Sequence, residues 1–100
     1  MPAYTCIWEF VVKPEHEARF IEHYGPEGSW ARLFRQAPGF VGTLLLRDQA
    51  APLRFVTIDR WQNARAFETF RERYAQQYEL IDSQCRELTV SERPIGAFDG

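Results

Sequence analysis

Cysteine and long apolar runs are scarce in this sequence of 100 residues, and each shortage excludes a class of protein. Cys6 and Cys85 are too few and too far apart for a disulfide framework or a zinc site. No apolar run has the roughly 20 residues of a membrane-spanning helix, and the N-terminus lacks the basic start and apolar core of a signal peptide. We therefore expect a cytoplasmic protein without a metal site and without a membrane partner.

An excess of positive charge is also absent. The chain has 12 basic and 14 acidic residues, and its arginines are spread among carboxylates instead of forming a basic patch. A nucleic-acid partner is therefore not expected. With 45% hydrophobic and 15% aromatic residues, the chain can bury a core. We predict a single domain over residues 1–100, with its core at about 4–92 and a C-terminal tail at 93–100.

Hydrophobic periodicity predicts four strands and two helical regions. Apolar and β-branched residues alternate over 4–12, 54–61 and 88–92, and an apolar stretch predicts the second strand at 40–46. The first helical region starts at Pro14 and is interrupted by the breaker segment 25–28, after which Ser29 can cap a short second helix. The second helical region is capped by Asn63 and is predicted to kink or end near 82–83.

The order strand, helix, strand, strand, helix, strand is typical of the ferredoxin-like fold. We predict an α+β domain of βαββαβ order, in which one antiparallel sheet carries both helical regions on one face. The other face would expose apolar side chains of the second and third strands, which monomers rarely tolerate. Two sheets packed face to face would cover them, so we expect a homodimer that forms a dimeric α/β barrel. The segment after Pro94 is expected to lie on the partner subunit.

Three stretches of the sequence carry a resemblance to a known family. They are a strand that runs into a Pro-started helix, a Pro-Gly turn, and a strand ending in Trp before a capped helix, at 8–15, 37–40 and 59–63 followed by 66–68. Over about residues 4–92 the chain resembles the antibiotic biosynthesis monooxygenase family of dimeric α/β barrels. The resemblance implies the fold predicted above. It also implies a choice among cofactor-free quinol or anthrone oxygenases, haem-degrading enzymes and members with no established activity.

The same resemblance disfavours haem degradation. The haem-degrading members have an Asn on the first strand and a Trp and a His along the second helical region. Here the first strand offers Cys6 and Trp8, Phe70 stands at the expected Trp position, and no His follows His23. We therefore expect no haem, and we expect no other cofactor.

The cofactor-free oxygenases imply an apolar pocket in which an aromatic substrate loses a proton and its carbanion reacts with dioxygen. The candidate substrate-binding residues are aromatic, namely Trp8, Trp30, Phe34 and Phe70. The candidate catalytic residues are Tyr74, Tyr78 and His23, because buried phenols need a hydrogen-bond partner and imidazole titrates near neutral pH. The alternative for the aromatic residues is plain core packing, and for His23 it is a surface or capping position.

Two strands also contain carboxylates, Glu9 and Asp59. We expect both to lie inside the barrel in a hydrogen-bonded cluster with Arg54 or Arg60. For such a cluster a structural ion pair is favoured over catalysis.

Two functions stay open from the sequence. The first is a cofactor-independent monooxygenase that acts with dioxygen on a small aromatic substrate such as a quinol or an anthrone. The second is a non-catalytic dimeric barrel that binds a small hydrophobic ligand or serves as an accessory or stress protein. An isomerase or lyase-type enzyme of the same superfamily is a third possibility. A roomy cavity with convergent polar groups would favour an enzyme, whereas a core filled by its own side chains would favour the second function.

Overall fold

The predicted order of strands and helices is confirmed by a computed structural model, which describes residues 2–100. The four strands are β1 (Tyr4–Val12), β2 (Phe40–Arg47), β3 (Arg54–Trp61) and β4 (Thr89–Asp99). The helices are α1 (Glu17–Tyr24), α2 (Ser29–Arg35), α3 (Ala64–Arg73) and α4 (Ala75–Cys85), and a 3₁₀ turn at Pro14–His16 leads into α1. The strands form an open antiparallel sheet in the order β2-β3-β1-β4, with the helices packed on one face. This is the ferredoxin-like α+β fold.

The central strand β1 determines which side chains of its neighbours face the helices. In its ladder with β3, Cys6 lies opposite Asp59 and Trp8 lies opposite Thr57. On the far side of β3, Thr43 of β2 is also paired with Asp59. Because successive side chains of a strand point to opposite faces, these five residues share the face that the helices cover.

Two aromatic clusters fill the space between the sheet and the helices. The buried members of the first are Trp30, Leu33, Phe34, Ala37, Trp61 and Phe70, and those of the second are Phe10, Val12, Phe20 and Phe55. In the first cluster the Trp61 ring lies 5.2 Å from that of Phe70 and 5.6 Å from that of Phe34. The second helical region therefore contributes to the core through its aromatic stripe, as its spacing predicts.

The second helical region consists of two helices, a division that the sequence did not predict. α3 and α4 meet at Tyr74, and α4 ends at Cys85, two residues beyond the predicted end near 82–83. The Tyr74 hydroxyl donates a hydrogen bond of 3.1 Å to the carbonyl of Gln36, which holds the chain at this point. Ser83 is tolerated inside α4 because its hydroxyl donates to the Leu80 carbonyl at 2.7 Å.

The last strand is longer than predicted. β4 continues to Asp99, so the prediction of a free tail over 93–100 is wrong. Pro94 and Gly96 do not end the strand, because both pair with β1 and a bulge adjusts the register between them. A proline is compatible with this position because β4 is an edge strand. The segment expected to lie on a partner subunit is thus part of the chain's own sheet.

The face of the sheet turned away from the helices, called the open face below, is uncovered and apolar. Leu44, Ile58 and Ile7 lie side by side on it, in register across β2, β3 and β1. Leu44 is 54% exposed, and Leu46 and Phe98 are exposed to a similar degree. Contiguous exposed apolar side chains of this kind mark an interaction surface.

Candidate active site

An aromatic cavity lies between the sheet and the helices, with a volume of about 80 Å³ and one open side. Most of its lining is aromatic: Trp8, Phe10, Tyr24, Trp30, Phe34 and Tyr78. The remaining lining residues are Thr43, Thr57, Asp59, Asp82 and Glu92. This volume is well below the roughly 300 Å³ or more of typical ligand pockets, so most of a polycyclic ligand would extend out of the cavity.

Asp59 provides the carboxyl group on the sheet side of this cavity. It is flanked in register by Cys6 of β1 and Thr43 of β2, neither of which carries a positive charge. Within residues 2–100 no Lys, Arg or His lies within ion-pair distance of it. The Thr43 hydroxyl donates a hydrogen bond to Oδ1 of Asp59. Burial without a cationic partner raises the pKa of Asp59 to about 7.

The cluster expected to join Glu9 and Asp59 with arginines forms around Glu9 alone. Arg93 and Arg54 each donate to Glu9 through Nε, at 2.5 Å, and these hydrogen bonds hold the pKa of Glu9 below its ordinary value. The prediction is wrong for Asp59 because Glu9 is paired with Val56, which places it on the open face. The sheet therefore has one carboxylate on each face: Glu9 on the open face is paired with arginines, and Asp59 on the helix-covered face has no cationic partner.

Trp30 contributes its ring to the cavity wall. The residue is 8% exposed, and its ring packs edge-on against Tyr78, with ring centres 4.8 Å apart. The indole N–H is buried away from the cavity space, beside the Tyr24 hydroxyl and the Cys85 thiol. Trp30 therefore offers a ligand an aromatic surface.

A tight corner between α1 and α2 places Trp30 over the sheet. A Cβ atom on Gly28 would lie 2.5 Å from the Glu22 carbonyl oxygen, so the close approach of the two helix ends requires glycine. At the same corner His23 Nδ1 and Ser29 Oγ share a hydrogen bond of 2.9 Å. Burial and the charge of Arg19 lower the pKa of His23, which keeps the imidazole neutral near pH 7.

The structure brings together only some of the residues singled out from the sequence. Tyr78, Trp8, Trp30 and Phe34 line the cavity. His23 lies in a surface groove at the α1–α2 corner, and Tyr74 lies in another between α3 and the turn before β2. Phe70 is 1% exposed and belongs to the core behind the cavity. His23, Tyr74 and Tyr78 therefore do not converge on one point.

Two carboxylates at the open side of the cavity, Asp82 and Glu92, were not predicted from the sequence. Asp82 follows Tyr78 by one helical turn, so the aromatic stripe of this region carries a signal for its position. Glu92 lies opposite Phe10 across the β1–β4 ladder. No local pattern shows that pairing, because it joins strands at opposite ends of the chain.

The described part of the chain has neither a cluster of metal ligands nor a membrane-spanning helix. Within residues 2–100 no three His, Cys, Asp or Glu side chains are placed to hold a metal ion. Over the same residues no helix is both long enough and apolar enough to cross a membrane.

The arrangement is suited to proton transfer on an aromatic molecule. A carboxyl group with a pKa of about 7 exists as acid and base in comparable amounts at neutral pH, which is the condition for efficient general acid–base catalysis. The aromatic walls offer a flat apolar surface, and the Tyr78 hydroxyl is a polar group at the same wall. The site therefore combines a carboxyl base, a phenol and a flat apolar surface.

Solved structures with the same fold include oxygenases. SnoaB from Streptomyces nogalater, described as a cofactor-independent oxygenase, is 23% identical, with a TM-score of 0.76 over 100% of this chain and 94% of that chain. A Bordetella bronchiseptica protein named for antibiotic biosynthesis monooxygenase is 21% identical, with a TM-score of 0.78 over 100% and 98% of the two chains. A Deinococcus radiodurans protein named in the same way is 17% identical, with a TM-score of 0.78 over 97% and 91%. At these identities the likeness establishes the fold.

The fold and the aromatic cavity define the class of ferredoxin-like proteins that enclose a small-molecule site between sheet and helices. Within that class, residues 3–77 match the family model of antibiotic biosynthesis monooxygenase. The chain belongs to the antibiotic biosynthesis monooxygenase family, as the sequence motifs predict. No curated protein matches the chain with significant similarity.

Proposed function

We propose that the protein is a cofactor-independent monooxygenase that uses dioxygen to oxidise a small aromatic substrate, such as a quinol or an anthrone. The observation that carries the proposal is Asp59, a half-buried carboxyl group without a cationic partner in a cavity lined by aromatic rings. Family membership and the description of SnoaB as a cofactor-independent oxygenase support it. The particular substrate is not specified by the family.

The proposed reaction begins with proton transfer to Asp59. Its carboxylate removes a proton from the carbon of an anthrone CH₂ group, which leaves a delocalised carbanion whose charge rests largely on oxygen. Transfer of one electron to dioxygen gives superoxide and a substrate radical, and their combination forms a C–O bond. Protonation of the peroxide and loss of water leave a carbonyl group. One oxygen atom of dioxygen thus enters the substrate, the other becomes water, and the CH₂ carbon supplies all four electrons.

In this proposal the site moves a negative charge instead of creating one. When Asp59 takes the proton it becomes neutral, and the charge passes to the substrate a short distance away. Neutral Asp59 can then donate a hydrogen bond to the anion. Trp8 and Phe34 supply stacking surfaces, and Tyr78 supplies a hydroxyl at the cavity wall. His23 and Tyr74 lie outside this cavity, so their catalytic role stays a prediction.

Oxygen uptake with and without the Asp59 carboxylate tests the proposal. Purified protein free of flavin, haem and metal is mixed with 1,8-dihydroxyanthrone, and uptake is followed with an oxygen electrode. We expect uptake above the buffer rate, rising with pH through about 7, because the active form of Asp59 is the carboxylate. Asp59→Asn should lower the rate by about 100-fold or more, since it removes the base.

Asp99→Asn is the matched control, because Asp99 is exposed at the end of β4 and does not line the cavity. It should leave the rate unchanged. Equal rates for Asp59→Asn and the parent protein would contradict the role of Asp59. Binding of the quinone product without any oxygen uptake would contradict the oxygenase proposal and would favour a non-catalytic ligand-binding barrel.

We also propose that two copies pack through their open faces to form a homodimer, the dimeric α/β barrel predicted from the sequence. The row of Leu44, Ile58 and Ile7 is the apolar centre of that surface, and Glu9 with its two arginines lies beside it. A stable interface of this kind buries more than about 1,200 Å². A location in the cytoplasm is kept as a prediction from the sequence.

Sedimentation equilibrium at micromolar concentration measures this assembly. The parent protein should be a dimer, and Leu44→Arg should shift it to monomer because the substitution places an unpaired charge in the interface. Leu80→Arg is the matched control, since Leu80 is equally exposed but lies on α4. A monomeric parent protein would contradict the homodimer.

A further inference from the structure

The carboxyl groups that line the cavity have no basic residue among them. They are Asp59 on the sheet and Asp82 and Glu92 at the open side. The other lining residues are aromatic residues and threonines, and no Lys, Arg or His lines the cavity. The lining therefore offers a ligand negative or neutral side chains and no positive charge.

The two carboxylates at the open side face the same space from different elements. Asp82 projects from α4 and Glu92 from β4, and both belong to the cavity lining. Burial and the charge of Asp82 raise the pKa of Glu92, as expected for two carboxylates near each other. Together they form an acidic entrance to the aromatic cavity.

The nearest positive charges lie outside this entrance. Arg86 is 3.6 Å from Asp82 and 3.4 Å from Glu79, and its side chain is 65% exposed, so solvent screens its effect and Glu79 shares it. The Arg71 guanidinium stacks on the Tyr78 ring, 4.1 Å from the ring centre. Neither arginine is part of the cavity lining.

Inside the cavity two polar groups complement a hydroxyl on the ligand. They are the Asp59 carboxyl and the Tyr78 hydroxyl, both of residues that line the cavity between aromatic rings. A carboxylate on the same ligand would have to pass or remain beside Asp82 and Glu92. Like charges in a partly dehydrated site repel, and an unpaired charge there rejects a ligand more strongly than a lost contact does.

We propose that the cavity accepts hydroxylated aromatic molecules that are uncharged or carry a protonated amine, that it rejects aryl carboxylates, and that Asp82 and Glu92 set this preference. This preference describes a substrate only if the protein is the proposed oxygenase, so as a statement about substrates it rests on the proposed function. The binding preference itself requires no turnover, because the two residues act on the charge of the ligand and not on its oxidation.

Equilibrium dialysis with three stable quinones tests the preference without dioxygen chemistry. The probes are 1,8-dihydroxyanthraquinone, its 3-carboxylate and its 3-aminomethyl derivative, each followed by its own visible absorbance. In the parent protein we expect the carboxylate to bind at least about tenfold more weakly than the uncharged quinone, and the amine to bind at least as tightly. Equal affinity for all three, or no binding of any of them, would overturn the proposal.

The variant carrying Asp82→Asn and Glu92→Gln should bring the three affinities within about twofold of one another, because the charges are removed and the shape is kept. Glu87→Gln is the matched control: Glu87 is an exposed acid that pairs with Arg19 and does not line the cavity. It should retain the parent preference. A preference that survives in the double variant would overturn the assignment to these residues. A clear binding preference in a protein that takes up no oxygen with anthrones would leave this inference intact and contradict only the oxygenase.

Discussion

The two faces of the sheet carry the same chemical group in two different environments. On the open face, Glu9 is held by Arg54 and Arg93, and its pKa is lowered by their hydrogen bonds. On the helix-covered face, Asp59 has a threonine hydroxyl and aromatic neighbours, and burial raises its pKa to about 7. The first carboxylate is fixed in its charged form, whereas the second can change its charge at neutral pH.

The two environments distinguish a carboxylate that stabilises the fold from one that can exchange a proton at neutral pH. An acid with two guanidinium partners keeps its charge over the whole neutral range and cannot accept a proton there. An acid that is buried alone exchanges protons in that range, at a cost to folding that a merely structural group would not impose. The proposed role of Asp59 therefore rests on the difference between its environment and that of Glu9.

The largest expected effect concerns the packing behind the cavity. Phe70→Ala should lower the free energy of unfolding by about 3 to 5 kcal/mol, because the ring is 1% exposed and contacts several other rings. Urea unfolding measures the change, and Leu80→Ala on the exposed surface of α4 is the control, with an expected change below about 1 kcal/mol. A near-neutral Phe70→Ala would mean that this ring borders open space and that the helix-covered face is less filled than described.

Removing the charge of Asp59 should stabilise the protein at alkaline pH. The folded pKa of about 7 lies above the ordinary value of 3.8, so the folded protein binds more protons between these values and stability falls as pH rises through them. Asp59→Asn should therefore be more stable than the parent above pH 7, by on the order of 2 to 4 kcal/mol, and equal to it below about pH 4. Urea unfolding at pH 4, 6 and 8 gives the comparison, with Asp99→Asn as the control. Parallel curves for Asp59→Asn and the parent would show that Asp59 is an ordinary ionised carboxylate.

The hydrogen bond from Thr43 should change the pKa of Asp59 less than burial does. Its hydroxyl donates to the Asp59 carboxylate and so favours the charged form. Thr43→Val should raise the pKa of Asp59 further, by about one unit or less, measured from the pH dependence of its carboxyl carbon signal in NMR spectra. Thr57→Val, which changes a neighbouring cavity residue that makes no such bond, should shift the pKa less. A lower pKa in Thr43→Val would contradict the described direction of the bond.

The smallest expected effect is on the open face. Glu9 has a lowered pKa, so it stabilises the fold above its ordinary value of 4.5 and loses this contribution as the pH falls. Glu9→Gln should lower the melting temperature modestly at pH 7, where both ion pairs are formed, and should make the protein less sensitive to acid. Melting curves at pH 3 and pH 7 test both statements. Equal acid sensitivity of Glu9→Gln and the parent protein would contradict a lowered pKa of Glu9 in the folded state.

Much of the fold follows from local sequence patterns, and the exceptions have a common cause. The alternation in β1 and β3 and the cap at Asn63 are local signals, and the structure has all three where they were predicted. The helix break at Tyr74 depends on a contact with Gln36, which lies in a different element. The length of β4 depends on pairing with β1, which overrides the local signals of Pro94 and Gly96. Contacts between distant parts of the chain leave no pattern in one short stretch.

The site was predicted in part for the same reason. The aromatic walls at Trp8, Trp30 and Phe34 could be recognised because aromatic spacing is a local property. Whether Asp59 is paired or alone depends on which face it shares with which arginine. The register of three strands decides which residues share a face with Asp59, and local sequence patterns do not determine that register.

The central position of β1 has a consequence for the order in which the protein folds. The β2–β3 hairpin joins neighbouring segments, whereas the β1–β4 ladder joins residues as distant as Tyr4 and Asp99. Local contacts form faster than distant ones, so the hairpin precedes the complete sheet. On the solvated hairpin Asp59 has the acidity of a free side chain and is ionised near pH 6. Closure of the sheet and helices over it is therefore the step in which the folding chain takes up a proton from solution.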